Sequence, residues 1–156
     1  FTPESCNLIV TQLLYLNNLS NDPIDIYINS SGGSVIDGLS IIDTINLIKS
    51  PVNTICTGLA ASMGAVLLSC GKKGSRAVLP HSRVMIHQVS SGMWGTFSDL
   101  EIELKQTERC KQDIYKILAE NLNKPYEEIE KLCDRNNWFI GQEAVDLGIV
   151  DKVLCK

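Results

Sequence analysis

The chain has 156 residues, a net charge of −4, and a composition of 44% apolar and 21% charged residues. A chain of this length can bury roughly 70% of its unfolded surface, so we expect a single domain over residues 1–156. The acidic balance, with no Lys/Arg cluster to offset it, argues against a nucleic-acid surface. The longest small-and-apolar run, residues 58–70, is too short to span a bilayer, and no membrane contact is expected.

The six cysteines form no C-x-x-C pair and none lies at zinc spacing from a histidine. We therefore expect free thiols in a reducing compartment and no bound metal. The basic run "GKKGSR" at 71–76 is typical of a solvated turn rather than of a phosphate-binding loop.

The apolar spacing alternates between helical and strand periods along the whole chain. We predict helices at 5–19, 34–50, 62–71, about 98–123, 124–133 and 141–148. We predict strands at 24–30, 52–58, 76–80, 83–88, 137–140 and 149–154. Ser98 and Glu101 form a capping-box pattern at the start of the long charged helix. The alternation indicates an α/β fold.

The stretch "INSSGGS" at 28–34 joins a strand to a helix through Gly32 and Gly33. Glycines at such a turn let backbone N–H groups approach a ligand closely. A simple tight turn is the alternative interpretation. No Lys-Ser/Thr follows the glycines, which argues against a phosphate loop.

Ser62 lies in "GLAASMGA" at 58–65, where a strand turns into a helix among small residues. The pattern A-x-S-x-G is similar to a nucleophile elbow with alanine at the first glycine position. The N–H of Met63 would then point toward an oxyanion. The alternative interpretation is an ordinary serine at a helix N-cap.

His87 ends the predicted apolar strand "RVMIHQ" and is one of only two histidines, the other being His81. A serine hydroxyl becomes a useful nucleophile only when a base takes its proton, and His87 is the better placed candidate. A serine elbow, a Gly-Gly donor loop and a strand-end histidine together suggest acyl transfer.

Three stretches together resemble the proteolytic subunit of the ATP-dependent Clp protease: "YINSSGGSVIDGLSIIDTI", "GLAASMGAVLLSCGKKGSRAVLPHSRVMIHQ" and "EAVDLGIVDKVL". The resemblance covers essentially the whole chain. It implies a crotonase-type α/β spiral with a head domain and a protruding handle, here at about 90–123. It also implies a serine endopeptidase that cleaves unfolded polypeptides and needs no cofactor of its own.

The resemblance also implies the roles of individual residues. Ser62 is then the nucleophile, His87 the general base, and Gly33 and Met63 the donors of the oxyanion hole. Gly92 and Gly95 fall in the segment that pairs with the extended substrate. Asp134 and Arg135 fall on a pair that makes contacts between rings.

The third catalytic position departs from the pattern of the family, which has an aspartate there. Aligning "CDRNNWFIGQEAV" on its last three residues places Asn136 at that position. A neutral amide can accept the histidine Nδ1–H but cannot stabilise the imidazolium by charge, and in a chymotrypsin-type triad the Asp-to-Asn change costs about 10⁴ in turnover. We therefore expect a divergent copy with weak or conditional activity.

The resemblance implies partners as well: two stacked heptameric rings and an AAA+ unfoldase that consumes ATP. The departures suggest rings mixed with a second subunit of the same type. The expected location is the bacterial cytoplasm, or an organellar matrix or stroma in a eukaryote. Two alternatives stay open: a structural or regulatory ring subunit, and a CoA-thioester enzyme on the same fold.

Overall fold

The computed structural model describes residues 1–155, which contain six helices and six strands interspersed along the chain. The helices are α1 (Pro3–Leu19), α2 (Val35–Leu47), α3 (Met63–Ser69), α4 (Phe97–Leu122), α5 (Tyr126–Leu132) and α6 (Gln142–Leu147). The strands are β1 (Ile24–Ser30), β2 (Val52–Ala61), β3 (Arg76–Val78), β4 (Arg83–Ile86), β5 (Asn137–Ile140) and β6 (Lys152–Val153). The predicted α/β class is confirmed.

All six strands join one sheet, and β2 is the strand at which the sheet branches. β1 pairs in parallel with one edge of β2. Along the other edge, the first half of β2 pairs with β3 and its second half pairs with β4, so that Thr54 faces Arg76 and Leu59 faces Arg83. β6 extends the β3 side and β5 adds antiparallel to β4. The sheet therefore divides and curls around β2.

A serine hydroxyl lies at the point where β2 changes partner. The Ser82 Oγ accepts the Gly58 N–H at 2.8 Å and donates to the Cys56 carbonyl at 3.1 Å. Gly58 has φ +142°, and a Cβ at this residue would lie 2.9 Å from the Asn29 Oδ1, so the bend requires glycine. The hydroxyl thus bridges backbone groups at the gap between the two partner strands.

The core lies between the sheet and the helices, with α3 at its centre. All seven residues of α3 are buried, as expected of a helix of about two turns that is apolar on every face. The second half of α4 packs onto α3, and its Ile114 and Leu118, at most 4% exposed, line the same cavity as Met63 and Val66 of α3. These contacts fix where α4 approaches the end of β2.

The two halves of α4 have different surroundings. Buried residues recur at helical spacing from Cys110 onward, whereas residues 97–109 are exposed apart from the half-buried Leu100 and Thr107. Phe97 and Ile102 expose 75% and 63% of their surface. The first half of α4 therefore projects from the body of the domain. Within residues 1–155, no helix combines the length and the apolar character needed to cross a bilayer.

Several predicted element ends are wrong, and two of them have a clear local cause. The N-cap of α4 is Thr96, whose hydroxyl accepts the Asp99 N–H, so the predicted capping box at Ser98 and Glu101 does not form. The last strand is shorter than 149–154 because the N–H groups of Ile149 and Val150 donate to the Ala144 carbonyl and close the end of α6.

The prediction that residues 71–76 form a solvated turn is wrong for Arg76. Arg76 is 4% exposed and donates to both carboxylate oxygens of Asp151, at 3.0 Å from Nε and 2.6 Å from Nη2. Burial alone would raise the pKa of Asp151, but the hydrogen bonds and charge of Arg76 outweigh it and lower this pKa. The pair ties β3 to the chain before β6.

Candidate active site

Ser62 stands at the turn between β2 and α3 with φ 56° and ψ −124°, a conformation that costs free energy for a residue with a side chain. It is one of two non-glycine residues with positive φ in the described part of the chain. Ser62 occupies the N-cap position of α3, yet its side chain makes no capping hydrogen bond. The hydroxyl is thus not used to close the helix, and the strained strand-to-helix turn is the geometry of a nucleophile elbow.

Close backbone approach explains the small residues around Ser62. A Cβ on Gly32 would lie 2.6 Å from the Ser62 Cβ, and a Cβ on Gly64 would lie 3.2 Å from the Ser30 carbonyl oxygen. The Ser62 N–H donates to the Met85 carbonyl at 2.9 Å. The Gly-Gly loop, the elbow and β4 are therefore in direct contact, and the loop fits only with glycine at position 32.

Gly33 and Met63 line the same cavity as Ser62, and within residues 1–155 neither backbone N–H has an acceptor. Met63 is the first residue of α3, so its N–H lacks an intrahelical partner. Gly33 has φ +141° and follows Gly32, whose own N–H goes to the Ser30 Oγ at 3.1 Å. Two unused donors beside a serine are the arrangement that an oxyanion requires.

His87 follows the last residue of β4 and lines the cavity of Ser62. β2 and β4 run in parallel with Ala61 facing Met85, so their carboxyl ends carry Ser62 and His87 at one edge of the sheet. The structure thus brings the predicted nucleophile and base together. In the described residues, no hydrogen bond joins their side chains.

Asn136 precedes β5, which pairs antiparallel with β4 so that Ile86 faces Asn137. Because the two strands are antiparallel, the residue after Ile86 faces the residue before Asn137, which places Asn136 opposite His87. The two residues also line a second cavity, which shares His87 with the cavity of Ser62. The predicted proximity of Asn136 to His87 is therefore present, although the exposed Asn136 side chain is not hydrogen-bonded to the histidine in residues 1–155.

Asp134 and Arg135 lie in the same turn as Asn136 and point into solvent. Their side chains are 69% and 88% exposed, and they approach each other at 3.6 Å between the Arg135 Nε and the Asp134 Oδ2. The role in ring contacts that the resemblance implies for this pair stays a prediction.

Gly92 and Gly95 lie in an irregular stretch between β4 and α4, and neither lines the Ser62 cavity. Gly95 has φ +151°, while Gly92 has no atom within 4 Å of the position of a Cβ. From this stretch, Gln88, Val89 and Ser90 line the cavity along with His87. The role of the two glycines in substrate binding stays a prediction.

The apolar lining of the cavity was not predicted from the sequence. Its walls include Val66 from α3 and Ile114 and Leu118 from α4. The helical spacing of α4 indicates a buried face, but only the packing of α4 on α3 shows that this face borders Ser62. The cavity suits an apolar side chain next to the serine.

Within residues 1–155, no group of three or more His, Cys, Asp or Glu side chains is placed to hold a metal ion. All six cysteines are free thiols. Burial raises the pKa of Cys133 to about 12 and that of Cys70 to about 11, so neither is a thiolate at neutral pH. Ser62 is thus the candidate nucleophile with the geometry for the task.

A serine on a strained elbow, with a histidine across the cavity and two free N–H donors, defines the class of a serine hydrolase. The family model described as Clp protease matches residues 2–156. The chain belongs to the Clp protease family and is a serine-type endopeptidase, as the sequence motifs predicted.

Curated relatives are of the same kind. The ATP-dependent Clp protease proteolytic subunit of Porphyromonas gingivalis is 50% identical over 155 residues, which are 97% of this chain and 69% of the relative. Subunit 1 of Salinibacter ruber is 48% identical over 152 residues, 97% of this chain and 65% of the relative. The subunit of Bacteroides fragilis is 47% identical over 155 residues, 97% of this chain and 74% of the relative.

Proposed function

We propose that Ser62 attacks the peptide carbonyl, with His87 as general base and the Gly33 and Met63 N–H groups as the oxyanion hole. The observation that carries this proposal is the uncapped, strained Ser62 in a cavity shared with His87 and the two unused donors. None of the residues lining that cavity is acidic, which argues against a thioester enzyme that needs a carboxylate there.

The reaction follows from these positions. His87 takes the Ser62 proton as the Oγ bonds to the carbonyl carbon, and the developing oxyanion accepts from the two N–H groups. The imidazolium then protonates the leaving amine, and an acyl-enzyme on Ser62 remains. A water molecule activated by His87 releases the acid.

Asn136 is the third member of this set. Its amide oxygen can accept the His87 Nδ1–H and so select the tautomer in which Nε2 faces Ser62. It brings no negative charge to stabilise the imidazolium, so turnover is weak or depends on assembly. The exposure of Asn136 also favours a second candidate function, a ring subunit that mainly builds and regulates a mixed barrel.

Assembly and partners belong to the same proposal. The chain works as one subunit of a barrel of two stacked heptameric rings, joined with a second subunit type in some barrels. An AAA+ unfoldase consumes ATP and delivers unfolded chains, and this subunit has no cofactor of its own. The projecting first half of α4, which exposes Phe97 and Ile102 among charged residues, and the exposed Asp134–Arg135 pair support contacts between subunits. The proposed location is the bacterial cytoplasm.

A fluorophosphonate probe tests the nucleophile in the assembled protein. We expect labelling that maps to Ser62 and disappears in Ser62→Ala. Ser20→Ala, which removes an exposed hydroxyl remote from the cavity, should label like the wild type. Labelling at another serine, or none in assembled protein, would contradict the proposed mechanism and favour the regulatory subunit.

A further inference from the structure

Gln88 connects the strand end that carries His87 to the turn that carries Asn136. Its Nε2 donates to the Asp134 carbonyl at 2.9 Å, across 46 residues of sequence. The ladder between β4 and β5 ends one step before His87, at Ile86 with Asn137. The facing pair His87 and Asn136 is therefore enclosed between the end of the ladder and the Gln88 hydrogen bond.

The buried Cys133 before residues 134–136 and the pairing of Asn137 after them anchor the two ends of this turn, but little else holds the residues between. The side chains of residues 134–136 are exposed, so core packing does not restrain them. The Asp134 N–H donates to the Lys131 carbonyl at 3.4 Å, and the Asn137 Nδ2 donates to the Leu132 carbonyl at 3.4 Å. Both contacts are long, whereas the Gln88 bond has an ordinary length.

We propose that Gln88 is a positioning residue for catalysis. It holds the backbone of the turn where the Asn136 side chain can reach the His87 Nδ1. This inference rests on the proposed function of Ser62, His87 and Asn136. A carboxylate would attract an imidazolium over some distance, but a neutral amide acts through a directional hydrogen bond alone. The position of the turn therefore matters more for an asparagine than for an aspartate.

The side chain of Gln88 has no acid or base function itself. A neutral amide neither takes nor gives a proton at ordinary pH, and its donor is occupied by the Asp134 carbonyl. Gln88 also borders the Ser62 cavity, so a direct contact with substrate is the competing role. A contact of that kind would raise KM, whereas mispositioned Asn136 would lower kcat.

The test uses Gln88→Met, Asn136→Ala and the double variant in the full-length assembled protein. Methionine keeps the length of glutamine and removes the donor. Gln142→Met is the matched control, because Gln142 is also exposed and donates its Nε2 at 2.9 Å, but to Asp146 within α6. Hydrogen exchange over residues 133–137 and steady-state kinetics on a small peptide are measured for each variant.

We expect faster exchange over 133–137 in Gln88→Met and a kcat lower by about tenfold with KM nearly unchanged. In the Asn136→Ala background the same substitution should have no further effect on kcat, since Gln88 acts through Asn136. Gln142→Met should match the wild type in both measurements.

Unchanged exchange in Gln88→Met would overturn the proposed connection. A tenfold loss of kcat that persists in the Asn136→Ala background would overturn the positioning role. So would an effect of Gln88→Met that is confined to a higher KM. Failure of the proposed function looks different: the wild type would then show neither turnover nor Ser62 labelling, whatever the exchange over 133–137.

Discussion

The Ser62 N–H donates to the Met85 carbonyl at 2.9 Å, two residues before His87. This hydrogen bond continues the pairing of β2 with β4 by one step beyond Ala61. The nucleophile elbow is thereby attached to the strand that ends in the general base. The backbone of Ser62 is therefore held by sheet pairing next to the end of the strand that leads into His87.

Asn136→Asp is expected to raise turnover at least about tenfold, because a carboxylate opposite His87 stabilises the imidazolium that an amide cannot. The measurement is kcat on a small peptide with protein in one assembly state. Asn18→Asp adds the same charge on the exposed face of α1 and should change nothing. Unchanged turnover in Asn136→Asp would mean that Asn136 is not the third catalytic residue or that chemistry is not rate-limiting.

Gly32→Ala is expected to lower kcat by about 10²-fold. A Cβ there would lie 2.6 Å from the Ser62 Cβ, so the loop must shift and carry the Gly33 N–H away from the oxyanion. Gly74→Ala is the matched control, because Gly74 also has positive φ, +85°, with no atom within 4 Å of its Cβ position. The Gly74→Ala variant should be less stable by roughly 1 kcal/mol and keep the turnover of the wild type. Equal turnover in the two variants would argue against the loop as oxyanion donor.

Asp151→Asn is expected to lower the free energy of unfolding by about 3 kcal/mol at pH 7, because it leaves the buried Arg76 without a counter-charge. Urea unfolding measures the change. Glu128→Gln, which removes an exposed ion pair with Lys124, should cost less than about 0.5 kcal/mol.

The Arg76–Asp151 ion pair also makes the free energy of unfolding depend on pH. The folded pKa of Asp151 lies below its ordinary value of 3.8, so its contribution to stability is complete above that value and is lost as pH falls through the folded pKa. The stability difference between wild type and Asp151→Asn should therefore shrink below about pH 4. A constant difference between pH 7 and pH 3 would show that charge pairing is not its source.

The residue on the acyl side of the cleaved bond is expected to be apolar. Val66, Ile114 and Leu118 line the cavity beside Ser62, and no acidic or lysine side chain lies among the lining residues to receive a charge. Peptides with Leu at this position should have a kcat/KM at least about tenfold above peptides with Asp or Lys, because a charged side chain would lose hydration there. Similar rates across the series would show that another surface receives the side chain.

The type and order of the elements could be predicted because their apolar spacing is clear, as in the helix through Ile41 and Ile42. Their ends depend on contacts that sequence does not show. β2 runs to Ala61 rather than to Gly58 because its last residues pair with β4. Arg76 was predicted in a solvated turn because its partner, Asp151, is 75 positions later in the chain.

The candidate site was predicted only in part, for a similar reason. Ser62, His87 and Asn136 stand at strand ends, where sequence pattern and family resemblance both point. Ile114 and Leu118 border the same cavity, yet their sequence positions indicate only a helix with a buried face. Gln88 carries no signal of its own, since its partner is a backbone carbonyl of a distant turn.

The irregular step in β2 beside Ser82, where β2 changes partner, restricts how many residues this part of the chain can have. Ile28 faces Cys56 and Ser30 faces Ala60, so 2 steps on β1 correspond to 4 steps on β2, a surplus of 2 residues. Because the surplus is even, Ala60 and Ala61 return to the faces that an unbroken strand would give them. Deleting or inserting one residue between Cys56 and Ala60 would reverse those faces and turn Ser62 away from its cavity. The length of this stretch can therefore change only by pairs of residues.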